Sequence, residues 1–289
     1  MNVLLVGGGQ GSWTMRGIQL GRALGGRSTS SPTRADWDWA EVVVLVKRSG
    51  ARHAGEARAA GKPVVWDAVD CWGQPSQNGY DERAALDMLR GLTISVAPTV
   101  AVAATRAQAA AFAAIGVPSC YLPHHSWDGL EPAEARAAVS AVAYQGNPGY
   151  LGRWDGILAR LCRDRGWRFA VNPPDLREAD LLVALRDGPW DGWMPRQWKS
   201  GVKLVNAVAA GRPVIAQPSA AHAEIGPPGS TVETEAQLAA ALDAWADPGP
   251  REAACEACRR LAPAYTLSAV AEAYAKILRA AMEGRTCGN

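Results

Sequence analysis

Residues 199–216, Lys199-Ser200-Gly201-Val202-Lys203-Leu204-Val205-Asn206-Ala207-Val208-Ala209-Ala210-Gly211-Arg212-Pro213-Val214-Ile215-Ala216, read as a polar loop containing a glycine, then a helix, then a short buried strand. Leu204, Val205, Val208 and Ala209 recur at the spacing of one helical face. Gly211 is placed to end the helix in a left-handed turn, Pro213 blocks any continuation, and Val214-Ile215-Ala216 supplies the strand. The helix therefore opens at Ser200 to Lys203 with free backbone N–H groups, a hydroxyl and two lysines. Such an opening suits an anion, most naturally a phosphate or a diphosphate.

Ser200, Lys203, Ala207, Ala209, Gly211, Pro213, Val214 and Ile215 match a longer pattern. The stretch resembles the donor-site signature of GT-B glycosyltransferases, especially the large retaining group 1 family, which reads S-x-x-K-x-x-E-A-x-A-x-G-x-P-V-I. Asn206 stands where that family has a ribose-binding glutamate, and the glutamate expected eight residues earlier falls on Trp198. Both acids of the E-x7-E pair are thus replaced. The resemblance implies two Rossmann-like domains facing across a cleft, with a C-terminal helix crossing back to the first. On this chain that gives an acceptor-side domain over 1–128, a donor domain over 129–268, and the crossing helix and tail over 269–289. It also implies a nucleotide-diphosphate sugar as co-substrate, a UDP-sugar foremost. Transfer would proceed with retention, and no metal or further cofactor is called for.

Bulk composition bounds the alternatives. The 289 residues suffice for two domains with a core in each. A hydrophobic content of 48% with 20% charged residues marks a globular chain. The net charge of +2 makes no general case for a nucleic-acid or membrane partner. No apolar run reaches the ~18 residues of a transmembrane helix. Met1-Asn2-Val3-Leu4 lacks the basic start and long apolar stretch of a signal peptide, so a cytoplasmic location is expected. Cys255 and Cys258 form a C-x-x-C in an Ala/Glu/Arg helix with no second pair, which favours reduced helical thiols over zinc. Nothing in the sequence reports on oligomeric state. Twelve tryptophans against two phenylalanines put many indoles beside loops, where they stack on a sugar or base or else close a core.

Val3 to Val6 is a buried first strand, followed by Gly7-Gly8-Gly9-Gln10-Gly11-Ser12 and a helix from Trp13 to Leu24. A glycine loop at this point lets a ligand approach the backbone. By the resemblance, Gly9, Gln10, Gly11 and Ser12 approach the donor phosphates or the transferred sugar. Arg16 is a candidate phosphate or acceptor contact, or a solvated helix arginine. Residues 25–39 are rich in Gly, Ser, Thr, Arg and Pro and read as a mobile surface loop. Glu41 to Val46 and Val64 to Trp66 are strands flanking a helix from Arg52 to Ala60. Asp67 and Asp70 follow the second of these strands, on the ligand edge of a parallel sheet. There one of them would orient or deprotonate an acceptor hydroxyl, or simply cap a turn; Trp72 is a candidate acceptor contact beside them. A helix from Asp81 to Leu92 follows. Of Ile94–Ala97 and Val100–Ala103 one is a strand, and Thr105 caps a helix over 106–115. His124 and His125 end the next strand at the expected domain crossover. There one contacts a sugar hydroxyl or phosphate and the other is structural, and no further His or Cys stands at zinc spacing.

Residues 126–136 read as linker plus a short helix. Ser140 to Tyr144 then opens a second strand–glycine loop–helix unit, with Gly146 and Asn147 as donor contacts by the resemblance and Arg153 beside them. Asp180 to Leu185 is a strand and 186–198 an irregular loop rich in Trp and Gly. Asp187 and Asp191 in that loop are candidates to replace the missing first glutamate. Ser200, Gly201, Lys203 and Asn206 complete the donor set. Helices over 235–245, 251–261 and 269–283 close the chain, and residues 286–289 are expected to fray.

Three functions fit this pattern. The leading one is a glycosyltransferase moving a sugar to an acceptor hydroxyl of a saccharide, lipid-linked glycan, natural product or hydroxymethylated DNA base of the bacteriophage type. DNA would require a locally basic cleft. The second is a non-catalytic nucleotide- or sugar-binding module, favoured by the missing acids. The third, an NAD-dependent or epimerase-like enzyme, is opposed by the absence of G-x-G-x-x-G and Y-x-x-x-K.

Overall fold

The computed structural model describes residues 1–9, 11–47, 50–70 and 81–285. Gln10, Trp72 and residues 286–289, named above, lie outside the described residues.

The N-terminal half alternates strand and helix. β1 (Val3–Val6) leads through the glycine loop into a π-helical turn (Trp13–Gln19) and α1 (Leu20–Ala23). There follow β2 (Arg27–Thr29), α2 (Arg34–Trp39), β3 (Val42–Val46), α3 (Gly50–Ala59), β4 (Val64–Asp67), α4 (Glu82–Val96), β5 (Val100–Ala103), α5 (Arg106–Ala114) and β6 (Ser119–Tyr121). After an irregular crossover come β7 (Ala141–Tyr144), α6 (Arg153–Asp164), β8 (Arg168–Val171), β9 (Leu181–Ala184), α7 (Trp193–Trp198), α8 (Val202–Ala209), β10 (Val214–Ala216), α9 (Ala220–Ile225) and β11 (Gly229–Thr231). α10 (Glu235–Ala246), α11 (Pro248–Leu261) and α12 (Leu267–Met282) end the chain.

All strands pair in parallel, in two sheets of order β2-β1-β3-β4-β5-β6 and β11-β10-β9-β7-β8. Each order reverses direction once, between β1 and β3 in the first sheet and between β7 and β9 in the second. These reversals are where an open parallel sheet leaves a crevice for ligands at its strand C-termini. The apolar runs of β3 and β7 are buried on both faces, as parallel strands flanked by helices must be. α12 returns to the first sheet, where Val270, Tyr274, Ile277 and Leu278 join the cluster of Val3, Leu5, Val44 and Val102. Burying a side chain such as Leu278 contributes roughly 1.5–3 kcal/mol.

The structure corrects several expectations. Residues 25–39 form β2 and α2 rather than a loop, with Thr33 and Asp36 making a reciprocal capping box and Trp37 buried in the first core. Ile94 to Val96 end α4, which stops at Ala97 with φ +43°, and Val100–Ala103 is the strand. The crossover carries no helix. Its backbone is held by buried groups of the second half: Arg251 donates to the Arg136 and Ala137 carbonyls, Arg212 to the Glu134 carbonyl, and Asp180 accepts from Ser140 and Ala141 amides. The 186–198 stretch contains a 3₁₀ turn and α7. Met194 and Trp198 of α7 pack into the first core beside Trp66 and Phe112. Thr105 caps α5 as expected, accepting from the Gln108 amide, while its hydroxyl donates across the seam to the Gln197 carbonyl at 2.8 Å.

Candidate functional site

The second sheet's reversal is built around Gly146. Its φ is +131°, and the side chain of Asn172, which directly follows β8 and is itself at φ +52°, clamps its peptide from both sides. The Gly146 N–H donates to Asn172 Oδ1 at 2.6 Å, and Asn172 Nδ2 donates to the Gly146 carbonyl at 2.9 Å. A Cβ at Gly146 would stand 2.9 Å from Lys203 Cε. The glycine thus lets Lys203, in the first turn of α8, lie across the loop and donate to the Tyr144 hydroxyl at 2.8 Å. The ammonium is also 4.3 Å from the Tyr144 ring centre and 5.8 Å from that of Tyr150.

Arg186, just past β9, faces the same recess. Gln217 fixes its backbone: Arg186 N donates to Gln217 Oε1 at 2.7 Å, and Gln217 Nε2 donates back to the Arg186 carbonyl at 3.0 Å and to Asp191 at 2.8 Å. Among the described residues the guanidinium reaches the Pro195 carbonyl alone, at 3.4 Å, and its buried Nε has no partner. Lys199 joins from the turn before α8, with Ser200, Gly201 and Ser219 completing the lining. Gly201 is required there because a Cβ would come within 2.3 Å of Ile225 Cδ1.

Among the described residues neither Arg186 nor Lys203 has an ion-pair partner. Burial pushes the Lys203 ammonium well below its usual range, and the charges of Arg186 and Lys199 push it further. Burial likewise lowers Arg186, and lowers Lys199 against the pull of Asp70. Three cations therefore share a recess at a helix N-terminus, and an anion relieves their repulsion.

Beyond Gly146 a cavity of about 290 Å³ lies between Trp127, Leu130, Gln145, Pro173, Pro174 and Leu176. Asn206, one helical turn after Lys203, bonds to two of the residues that line it. Its Oδ1 accepts from the Trp127 amide at 2.8 Å and its Nδ2 donates to Gln145 Oε1 at 2.6 Å. Asn206 thus ties the crossover to the second sheet. Asp187 caps α6 through the Arg153 amide, and Asp191, which lines the recess, holds Arg196 through two bonds of 3.0 Å. Asn147 caps the 3₁₀ turn that follows it, and the exposed Arg153 pairs with Asp187.

The first sheet's reversal is arranged differently. Gly9 and Gly11 have φ of +94° and +55° with open space around both. Ser12 precedes the π-helical turn without capping it. Arg16 is 1% exposed and Asp67 0%, and they bond to each other at 2.9 and 3.3 Å, with the guanidinium over the Tyr274 ring. The expected roles of Arg16 as a phosphate or acceptor contact and of Asp67 as a base do not match this placement, because each is sealed inside and neutralises the other. His124 and His125 are both buried; burial and the nearby Arg16 charge keep His124 well below its usual range, hence neutral. His125 is fixed between the Ser126 and Met15 carbonyls at 2.7 and 3.0 Å. Asp70 meets the recess through Lys199: it is 4% exposed and pairs with Lys47 at 3.3 Å and Lys199 at 2.7 Å. Burial opposes its charge, but the Lys199 and Lys47 ammoniums hold its carboxyl well below the usual range. It is a counter-ion there, not a proton acceptor at neutral pH. Cys255 and Cys258 are buried free thiols in α11, their acidity weakened by burial.

Arg186, Lys47, Asn172, Tyr144 and Tyr150 belong to this constellation although no motif marks them. Lys47, Asn172 and Arg186 stand just past the ends of β3, β8 and β9, Tyr144 closes β7, and Tyr150 ends the 3₁₀ turn after it, so they meet only through the sheet order. The one available signal, a polar residue just after an apolar strand run, covers the first three alone.

No protein-family model matches this sequence, and no curated protein matches it. Solved structures do match the fold. The chain is similar to Anabaena Alr3699/HepE in complex with UDP, at 12% identity and a TM-score of 0.69 over 96% of this chain and 99% of that one. It is similar to an α,α-trehalose-phosphate synthase (UDP-forming) from Burkholderia vietnamiensis, at 13% identity and a TM-score of 0.60 over 86% and 74% of the two chains. It is also similar to AviGT4, a glycosyltransferase involved in avilamycin A biosynthesis, at 15% identity and a TM-score of 0.56 over 99% of each chain. The two sheets and the returning helix are those of the GT-B fold.

Proposed function

We propose that this chain is a glycosyltransferase that takes a sugar from a nucleotide-diphosphate donor to an acceptor hydroxyl. The observation that carries the reading is the pair of cations without carboxylate partners, Arg186 and Lys203, at the N-terminal end of α8 beside Lys199. A diphosphate supplies the missing negative charge. The nucleoside then lies in the cavity past Gly146, between Trp127 and Pro173, and the transferred sugar points toward the first sheet.

In this reading the three cations stabilise the charge that develops on the leaving nucleoside diphosphate as the glycosidic bond breaks. They perform the neutralisation that a divalent metal performs elsewhere, so the transfer proceeds without one. Among the described residues neither aspartate at the first sheet's edge is placed as a nucleophile: Asp70 is locked by two lysines and Asp67 by Arg16. Retention follows if the departing phosphate itself receives the acceptor proton on the face it leaves. UDP is the first donor nucleotide to test, because it is the ligand of the similar Anabaena protein. The acceptor is a hydroxyl-bearing saccharide or small molecule, with a hydroxymethylated DNA base as the outlying case.

One observation favours a second reading, a non-catalytic nucleotide- or sugar-binding module. Trp198 and Asn206 replace both acids of the donor signature; Trp198 is buried in the first core, and the buried Asn206 is engaged by Trp127 and Gln145. The test is thermal stabilisation by UDP-, GDP-, ADP- and dTDP-sugars, followed by assay of donor cleavage for whichever one binds. Binding with cleavage or transfer supports the enzyme. Binding without either, across an acceptor panel, supports the module, and stabilisation by NAD alone overturns both.

A further inference from the structure

Lys47, Asp70 and Lys199 form one buried ion group across the seam between the sheets, and the backbone is distorted to make it. Lys47 directly follows β3 with φ +55°, and Val69, two residues past β4, has φ +59°. A β-branched residue rarely adopts that conformation and persists in it only where packing over-determines it. Val69 is 1% exposed within the core shared by the first sheet and α12. Lys47 is pinned too: its N–H donates to the Asp67 carbonyl at 2.8 Å, and its carbonyl accepts from the Trp66 indole at 3.1 Å. The two distortions turn neighbouring strand ends so that the lysine and the aspartate meet. Lys199, the third member, follows α7, which is itself anchored in the first core by Met194 and Trp198.

We propose that Asp70 is a positioning residue that completes the donor site from the opposite sheet. Its carboxylate holds the Lys199 ammonium over the diphosphate recess, and Lys47 fixes the carboxylate. The inference rests on the glycosyltransferase reading and extends it: the phosphate-binding half of the site depends on the first sheet. Among the described residues, the charged and titratable groups that face Asp70 are Lys47, Lys199, Arg186 and His124. Without the carboxylate, Lys199 faces Arg186, Lys203 and Lys47 with no counter-ion, and it loses its proton or its position. Lys203 lies against Gly146, the neighbour of Gln145 in the cavity wall, whereas Lys199 is bonded to Asp70 of the first sheet. Lys199 therefore serves the second phosphate more than the first.

Calorimetric titration of UDP and UMP into the wild type, D70N and K47M/D70N tests this. The expected result for D70N is a UDP dissociation constant raised on the order of tenfold or more, with UMP little changed. K47M/D70N carries the same net charge as the wild-type group, so it regains thermal stability but not the preference for UDP over UMP. A structural role predicts the reverse: D70N weakens both ligands equally, or K47M/D70N restores the preference, and either outcome overturns the inference. If D70N does not fold, the double variant decides alone. A wild type that binds neither nucleotide overturns the glycosyltransferase reading along with the inference. A wild type that binds both, with an unchanged preference in the variants, overturns the role of Asp70 only.

Discussion

The two reversal points of this protein share a plan and differ in charge balance. Each has an apolar strand, a glycine loop, a helix and a cation within reach of the loop. In the first sheet the cation, Arg16, is cancelled by Asp67 in the interior. In the second, Arg186 and Lys203 line the recess and, among the described residues, no carboxylate is paired to them. The first arrangement closes on itself, while the second is the one proposed here to take a ligand. A glycine loop and a helix start therefore do not by themselves identify a site; the location of the counter-ion does.

The largest expected effect comes from breaking the balanced side. Arg16→Met leaves Asp67 buried and uncompensated, and removing one partner of such a pair costs roughly 3–5 kcal/mol. Chemical denaturation reads this directly. If Arg16 instead served a ligand, the variant would keep its stability and lose nucleotide binding, and the contrast between the two points would collapse.

Lys203→Met has the opposite signature. It removes a cation whose charge is disfavoured by burial, so the ligand-free protein gains on the order of 2 °C in thermal midpoint. Affinity for UDP falls by roughly tenfold to a hundredfold. The pH dependence follows from the same depression. The folded-state ammonium loses its proton at lower pH than in the unfolded chain, so between the two ranges the unfolded chain binds more protons. Ligand-free stability therefore rises with pH across that window. UDP affinity falls with pH through the lowered Lys203 range, because the neutral amine no longer offers a charge. Both slopes shrink in Lys203→Met; equal slopes in variant and wild type would mean that Lys203 is not the titrating group.

Most of the fold was legible because its signals are local. The apolar run ending at Val46, the Gly211-Arg212-Pro213 stop and the Thr105 cap each lie within a few residues of what they determine. α2 and α7 were missed because their apolar faces are made of tryptophans in short polar segments, and those faces are buried by distant parts of the chain. α7 is six residues long and carries Pro195, and it is stable only because Met194 and Trp198 enter the core of the opposite sheet. The site divides in the same way. Ser200 to Lys203 could be read from one stretch. The pairing of Arg16 with Asp67 spans 51 residues and that of Asp70 with Lys199 spans 129, so only the sheet order reveals which charges cancel.

The finest test of the comparison uses the glycines themselves. Gly9 and Gly146 both have positive φ, so alanine strains either backbone, costing about 1 kcal/mol. Their surroundings differ. A Cβ at Gly9 meets nothing within 4 Å, whereas a Cβ at Gly146 stands 2.9 Å from Lys203 Cε and 3.1 Å from its Nζ. Lysine is flexible enough to move aside, so Gly146→Ala should cost little more stability than Gly9→Ala. It displaces the ammonium from the loop, however, and UDP affinity drops several-fold, while Gly9→Ala leaves that affinity unchanged. Equal losses of affinity in the two variants would place the nucleotide against both loops, and the first reversal point would then be a second wall of the donor site rather than a sealed counterpart to it.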